Sequence, residues 1–139
     1  MTGLLVLAAA LALAVAFGLY RRWSDGRVRE VAREVRVDRL TAPQLGTELG
    51  QRATLVQFSS AFCAPCRATR VLLADVADTV PGVTHAEIDA EANLDLVREL
   101  NITRTPTVLV LDVDGRVRNR AVGLPRPTDL LAALGAVVA

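Results

Sequence analysis

The two cysteines of this 139-residue chain, Cys63 and Cys66, are separated by two residues and are the side chains best suited to chemistry. They follow an apolar, β-prone run over residues 53–59 and open a run with helical spacing, which predicts a strand–turn–helix unit. At the first turn of a helix, unpaired backbone N–H groups and the helix dipole favour a thiolate. We therefore predict that Cys63 attacks a substrate disulfide and that Cys66, one turn inward, resolves the mixed disulfide.

Two other uses of the cysteine pair compete with a redox role. A zinc ion takes four protein ligands, or three and a water, and His85 is the only other strong nitrogen or sulfur ligand in the sequence. A zinc site would therefore need four cysteines from two copies of the chain. The pair could also be merely structural. Pro65 suits an early helical position, where its missing N–H is not needed, and we expect a redox-active disulfide with no metal and no other cofactor.

Composition limits the remaining chemistry. All 16 basic residues are arginine, which excludes catalysis through a lysine Schiff base or a phosphate-loop lysine. The formal net charge of +1 gives no indication of nucleic-acid binding. Arginine in place of lysine, with abundant Ala, Val and Leu, is typical of a GC-rich bacterial genome. We interpret His85 as a surface or hydrogen-bonded histidine, and Arg67 and Arg70 as solvated charges.

Strand-like and helix-like runs alternate from residue 37 onward in the order βαβαβαββα. This alternation, with a closing hairpin at Asp114-Gly115, predicts a mixed sheet covered by helices on both faces. The predicted strands are 37–40, 53–59, 83–89, 107–112 and 116–122, and the predicted helices are 41–49, 63–79, 91–100 and 128–138. Inward positions are predicted on the second and third helices for Val71, Leu72, Val76, Val80, Leu94, Val97 and Leu100.

The region 37–139 resembles the thioredoxin family. The resemblance is carried by four motifs: Cys63-Ala64-Pro65-Cys66 after the buried strand, Thr105-Pro106-Thr107 before the next strand but one, Asp114-Gly115 in the hairpin, and Gly123 before the last helix. It implies a thioredoxin-like three-layer α/β/α fold and thiol–disulfide oxidoreductase activity.

The resemblance also implies a substrate groove beside the cysteine pair. Pro106 is expected to be cis and to pack beside the reactive pair, as suits a proline that opens a strand. The backbone of Thr105 is expected to pair with the extended chain of the client. Phe62, Ala64 and Pro65 would form the rest of the groove.

Three positions depart from the family pattern. Phe62 stands where thioredoxins usually have Trp, and Ala64 stands where Gly is commoner. Gln57 occupies the strand position of a buried Asp that helps to deprotonate the resolving cysteine, and an amide cannot act as a base near neutral pH. The departures favour a dedicated enzyme with few clients over a general thioredoxin.

The first twenty residues contain no charged side chain, and the run from Gly3 to Tyr20 is almost continuously apolar. Eighteen helical residues span roughly 27 Å, close to the hydrocarbon thickness of a bilayer. Residues 1–20 are therefore predicted to form a single transmembrane anchor that ends at the aromatic and basic segment 20–23. A cleaved signal peptide is the competing interpretation, with Ala14-Val15-Ala16 as its cleavage signal, but the chain lacks basic residues before the apolar run.

Residues 21–36 are predicted to form a charged juxtamembrane stalk. A short amphipathic helix, capped by Ser24 or Asp25, is expected there from apolar residues at helical spacing: Val28, Val31, Ala32 and Val35. The stalk either binds anionic lipid headgroups or is a solvated spacer. Seven arginines lie between positions 21 and 39 and none precedes the apolar run, so the positive-inside rule places residues 37–139 in the cytoplasm.

Together these features predict a single-pass, membrane-tethered thiol–disulfide oxidoreductase. The Cys63–Cys66 pair would exchange with disulfides of client proteins, and a thiol reductant or a reductase would restore the dithiol. The alternative is a membrane-anchored interaction module that senses redox state with little turnover. Turnover of a model protein disulfide separates the two hypotheses.

Overall fold

The protein, described by a computed structural model over residues 1–31 and 37–139, has the predicted βαβαβαββα order after an N-terminal helix. The helices are α1 (Thr2–Ser24), α2 (Ala42–Leu45), α3 (Ala64–Thr79), α4 (Leu94–Glu99) and α5 (Pro127–Val138). The strands are β1 (Val28–Glu30), β2 (Ala53–Ser59), β3 (Val83–Asp89), β4 (Thr107–Leu111) and β5 (Val117–Val122). The first strand is therefore 28–30 rather than 37–40.

The strands form one mixed sheet in the order β1-β5-β4-β2-β3. The strand β2 pairs in parallel with β3 and antiparallel with β4, and β4 pairs antiparallel with β5. All seven residues of β2 are buried, as expected for an apolar strand covered on both faces. The register sets Phe58 opposite Thr107 and Thr107 opposite Val122, so β2 ends, β4 begins and β5 ends at one end of the sheet.

Helices cover both faces of the sheet, because successive strand residues point to opposite sides. One core joins α2 and α4 to the sheet through Leu45, Val56, Phe58, Leu96 and Leu109. The other core joins α3 and α5 to the opposite face through Leu55, Leu73, Val108, Leu130 and Leu134. The predicted three-layer α/β/α arrangement with a mixed central sheet is confirmed.

Helix α1 is long and apolar enough to cross a membrane, by its length and composition. It runs to Ser24, past the predicted boundary at residue 20. Within the described part of the chain, no residue of α1 is buried, and its large apolar side chains are exposed. The helix therefore belongs to neither core.

The predicted stalk helix is wrong for the residues that the structure describes. Gly26, with a φ of 76°, follows the end of α1, and β1 then pairs antiparallel with β5. Val28 packs on the core under α3 and α5, whereas Val31 packs on the opposite core. Residues three apart share a helix face but lie on opposite faces of a strand. The spacing of the two valines therefore fits either one face of a helix or the two faces of an extended chain. The unpaired backbone groups at the edge of β5 favour the strand. Ala32 and Val35 lie outside the described residues.

Two other predicted boundaries are also wrong. Residues 37–40 are not a strand but make an isolated bridge between Arg39 and Arg116. Helix α2 begins as predicted, with a capping box between Thr41 and Gln44, but ends at Leu45 because Gly46 takes a left-handed φ of 69°.

The buried faces of α3 and α4 differ in part from the prediction. On α3, Val76 is buried as predicted, but Val71 is 67% exposed and Leu73 is buried in its place. On α4, Leu100 is buried at the C-terminus as predicted, but Leu94 is 53% exposed because the helix begins there, three residues later than expected. The apolar spacing permitted two neighbouring faces, and packing against the sheet selects one.

Candidate active site

Cys63 and Cys66 form a disulfide at the start of α3, with their Cα atoms 5.3 Å apart. Cys63 is the N-cap residue, and Cys66 lies in the first turn, where its N–H donates to the Cys63 carbonyl at 3.2 Å. Cys63 is half-buried, whereas Cys66 is only 2% exposed. Because a substrate sulfur approaches from solvent, this geometry favours Cys63 as the attacking cysteine and Cys66 as the resolving one.

The residues that flank the disulfide are accessible. Phe62 is fully exposed, and Ala64 and Pro65 are exposed as well. Pro65 occupies the first helical positions of α3, where no N–H is required. These three side chains surround Cys63 with an open apolar surface that a peptide chain can contact.

Thr105 and Pro106 lie in the loop that enters β4, and the peptide bond between them is cis. Pro106 is buried, and its carbonyl accepts a hydrogen bond from the Gly123 N–H at 2.8 Å. The hydroxyl oxygens of Thr105 and Ser60 are hydrogen-bonded at 2.8 Å. Because Ser60 leads directly into the disulfide loop, this bond joins the proline loop to that loop.

Three loops meet at one end of the sheet, which we call the disulfide end. It is formed by the loop after β2 with the cysteines, the loop before β4 with Pro106, and the turn after β5 with Gly123. Both halves of the predicted groove lie there. Sequence reasoning missed Ser60, because a serine after a strand carries no signal of a partner that is 45 positions away.

Gln57 lies beneath the disulfide loop and is fully buried. Its Nε2 donates to the Cys66 carbonyl at 2.7 Å and to the Ser59 hydroxyl at 2.9 Å. Its Oε1 has no hydrogen-bond partner among the described residues. The amide thus supports the backbone of Cys66 as a neutral donor, and it offers no carboxylate to accept a proton.

An ion pair connects α3 to β3. The Arg70 Nη2 donates to the Glu87 Oε1 at 2.6 Å, and this hydrogen bond holds the pKa of the Glu87 carboxyl below its usual value. Arg70 is exposed on α3, as interpreted from the sequence, and in addition forms this ion pair. The pair lies along the sheet rather than in the disulfide loop.

His85 is half-buried on β3, and its Nε2 has no hydrogen-bond partner within the described residues. Burial lowers the pKa of its imidazole. The expectation of a surface or hydrogen-bonded histidine thus fails for this nitrogen. His85 stands four residues before the end of β3, about 13 Å along the strand from the disulfide end. It is not placed for a role in the disulfide chemistry.

Among residues 1–31 and 37–139, no three His, Cys, Asp or Glu side chains are grouped to hold a metal ion. Both cysteine sulfurs are joined to each other in the disulfide.

A protein-family model described as Thioredoxin matches residues 37–135. Curated relatives include thioredoxin-2 of Pyricularia oryzae, 32% identical over 73 residues, which are 52% of this chain and 42% of that protein. A thioredoxin H-type of Ricinus communis is 29% identical over 69 residues, 50% of this chain and 58% of that protein. The chain thus spans about half the length of these curated relatives. Helix α1 and strand β1 precede the matched region.

Solved structures give the same fold. An X-ray structure of Fasciola hepatica thioredoxin is similar at 25% identity with a TM-score of 0.56, covering 63% of this chain and 83% of that one. The oxidized form of mitochondrial thioredoxin 3 from Saccharomyces cerevisiae is similar at 22% identity with a TM-score of 0.54, covering 62% and 79%.

Replacing Gln57 by Leu should lower the free energy of unfolding by about 1–3 kcal/mol, because the buried Ser59 hydroxyl and Cys66 carbonyl lose a donor. Denaturant unfolding of the oxidised protein in detergent solution measures the change. The matched control is Gln51→Leu, since Gln51 is exposed and should change stability by no more than about 0.5 kcal/mol. Equal effects of the two substitutions would contradict the assigned role of Gln57.

The lowered pKa of His85 predicts a pH dependence of stability. The unfolded chain binds a proton at the usual value near 6.5 and the folded chain only at lower pH, so stability should fall as the pH drops below that value. The slope is at most about 1.4 kcal/mol per pH unit. Unfolding curves between about pH 6 and 8 measure the slope, because this window lies well above the usual pKa of 4.5 at which Glu87 titrates in the unfolded chain. His85→Gln should flatten the slope, and an unchanged slope in this variant would refute the assignment.

Proposed function

The chain belongs to the thioredoxin family, and on that premise we propose that it is a membrane-anchored thiol–disulfide oxidoreductase acting on client proteins. The proposal rests on the Cys63–Cys66 disulfide, in which Cys63 is half-buried and Cys66 is buried. It sits at the start of a helix and is linked to the proline loop through Ser60 and Thr105.

In its reduced form, the pair would act in two exchanges. The Cys63 thiolate attacks one sulfur of a client disulfide, so that the client bond breaks, a Cys63–client bond forms and the released client thiolate takes a proton. The Cys66 thiolate then attacks the Cys63 sulfur, restoring the Cys63–Cys66 disulfide and releasing the second client thiol. The client gains two electrons and two protons, and the protein loses them.

The reduced pair must be regenerated by a thiol donor. Two molecules of a low-molecular-weight thiol, glutathione-like or mycothiol-like, or one dithiol of a reductase would be oxidised to a disulfide for each Cys63–Cys66 pair reduced. A cytoplasmic location supplies such donors, and there the protein would work as a reductase.

The helix start is the feature expected to activate Cys63. Its free N–H groups and dipole stabilise negative charge at the N-cap position that Cys63 occupies. Thr105 would offer its backbone to the client chain, and Pro106, Phe62, Ala64 and Pro65 would form the walls of the groove.

Gln57 would make the second exchange slow. A neutral amide cannot take the proton of the Cys66 thiol, so that proton must leave by way of solvent. This favours a dedicated enzyme with few clients. It is also the observation that favours the second candidate function, a redox-sensing interaction module with little turnover.

We propose that residues 37–139, which we call the catalytic region, lie on the cytoplasmic side of the membrane. The support is helix α1, whose length and composition allow a membrane span, and the seven arginines that follow between positions 21 and 39.

Reduction of a model protein disulfide by the full chain, with a thiol reductant in excess, tests the enzymatic proposal. Cys63→Ser should abolish turnover, whereas Cys66→Ser should retain the first attack and accumulate a mixed disulfide that non-reducing electrophoresis detects. Turnover retained in Cys63→Ser would refute the role of that cysteine. Turnover of the natural chain no faster than that of a free small dithiol would favour the interaction module.

Labelling of Cys63 with a membrane-impermeant maleimide tests the sidedness. In cells that carry the Cys66→Ser variant, Cys63 has no disulfide partner within its own chain. It should be labelled after permeabilisation and not in intact cells. The double variant Cys63→Ser, Cys66→Ser lacks both thiols and sets the background. Labelling in intact cells would overturn the cytoplasmic assignment and favour an oxidative function on the outer side of the membrane.

A further inference from the structure

The end of α1 lies at the disulfide end of the sheet. The Gly26 N–H donates to the carbonyl of Val122 at 2.7 Å, and Val122 is the last residue of β5. Thr107, opposite Val122, is in turn opposite Phe58 near the carboxyl end of β2. The chain therefore leaves α1 and enters the sheet at the end from which the disulfide loop emerges.

In the described residues, only positions 25–27 separate α1 from strand β1. Three polar contacts hold the segment between them, and we call this set the clamp: Arg104 Nη2 to Asp25 Oδ1 at 2.7 Å, Gly26 N–H to Val122 O at 2.7 Å, and Arg126 Nη2 to Trp23 O at 3.1 Å. Strand β1 begins two residues after Gly26. The direction of α1 is thus tied to the catalytic region.

The clamp also borders the proposed groove. Arg104 directly precedes Thr105, and Gly123 binds the Pro106 carbonyl while its outer side faces Gly26 and Asp25. A side chain at Gly26 would clash with the carbonyl of Leu124, so the segments around Gly26 and Leu124 are in backbone contact. A client chain that pairs with Thr105 therefore lies between the disulfide loop and the juxtamembrane segment.

The spacing and rise of β-strands give approximate distances from the end of α1 to the two ends of the sheet. Three strand spacings separate β2 from β1 in the sheet, about 14 Å in all. The opposite end of the sheet lies one β2 length away, about 23 Å for its seven residues. With α1 in a bilayer, the disulfide end is therefore the nearer one to the membrane surface.

Three exposed apolar side chains lie at the disulfide end. Phe62 is fully exposed beside Cys63, Trp23 is 74% exposed at the end of α1, and Leu124 is 44% exposed next to the clamp. Aromatic side chains such as Trp23 favour the membrane–water interface. The surface around the disulfide is thus compatible with a position close to lipid headgroups.

We infer that the substrates of the disulfide are membrane-proximal disulfides in other membrane proteins, held within about 20 Å of the bilayer surface on the same side. This rests on the proposed oxidoreductase function and adds the class of client. The clamp orients the disulfide toward the membrane, so a client anchored in the same bilayer presents its disulfide where the pair lies.

The test uses the pre-reduced full chain in proteoliposomes and three probes with the same disulfide peptide. In the short probe, three residues join the peptide to a transmembrane helix, a reach of about 10 Å. In the long probe, a stiff helical spacer of thirty residues holds it about 45 Å away. The third probe is the free peptide. The short probe should be reduced at least about tenfold faster than the long one, because only its disulfide reaches the pair.

A linker variant provides the control for orientation. Twenty Gly and Ser residues inserted between Ser24 and Asp25 leave the contacts of Asp25 and Gly26 in place but release the catalytic region from α1, adding a mean reach of about 25 Å. In this variant, the short probe should be reduced no more than about threefold faster than the long probe. The same twenty residues added after Ala139 should leave the ratio unchanged.

Each outcome has a separate meaning. Faster reduction of the long probe, or equal rates for both anchored probes, would overturn the inference about the client. Reduction of the free peptide would in that case still support the oxidoreductase activity. No reduction of any probe would refute that activity, and the inference would fall with it.

Discussion

Five residues of β4 run antiparallel to β2, from Thr107 opposite Phe58 to Leu111 opposite Thr54, and this pairing sets where each part of the site lies. Because β4 must begin where β2 ends, the loop leaving one strand neighbours the loop entering the other. Ser60 and Thr105 are joined across that junction. A slip of one residue would exchange the side chains of the two cores. The cores therefore fix the register, and the register fixes the site.

The site could be predicted largely because its parts have local signatures. The apolar run before Cys63 and the helical spacing after it are visible in the sequence, whereas the position of Pro106 beside the pair was expected from the family resemblance. The placement of β1 could not be predicted, because the spacing of Val28 and Val31 fits one face of a helix as well as the two faces of an extended chain, and only the edge of β5, about ninety residues away, decides. The Ser60–Thr105 hydrogen bond could not be predicted either, since neither residue type indicates a partner that is distant in the sequence.

The Arg70–Glu87 ion pair and the Gln57 amide are neighbours across β2 and β3 but have different roles. The Arg70–Glu87 pair braces α3 against β3, whereas Gln57 supports the disulfide loop with a neutral N–H donor. A thiolate on Cys63 would therefore draw its stabilisation from the backbone at the start of α3. Such backbone groups do not titrate, so this contribution stays constant over the physiological pH range.

The clamp has an entropic consequence. For a chain anchored as proposed, contacts at Trp23, Asp25 and Gly26 leave the catalytic region little freedom to tumble, beyond spinning about the membrane normal with its helix. Encounters with a client in the same bilayer then reduce to a search in two dimensions between partners already facing one another. The rotational entropy that free proteins lose at every encounter is here lost once, when the chain folds.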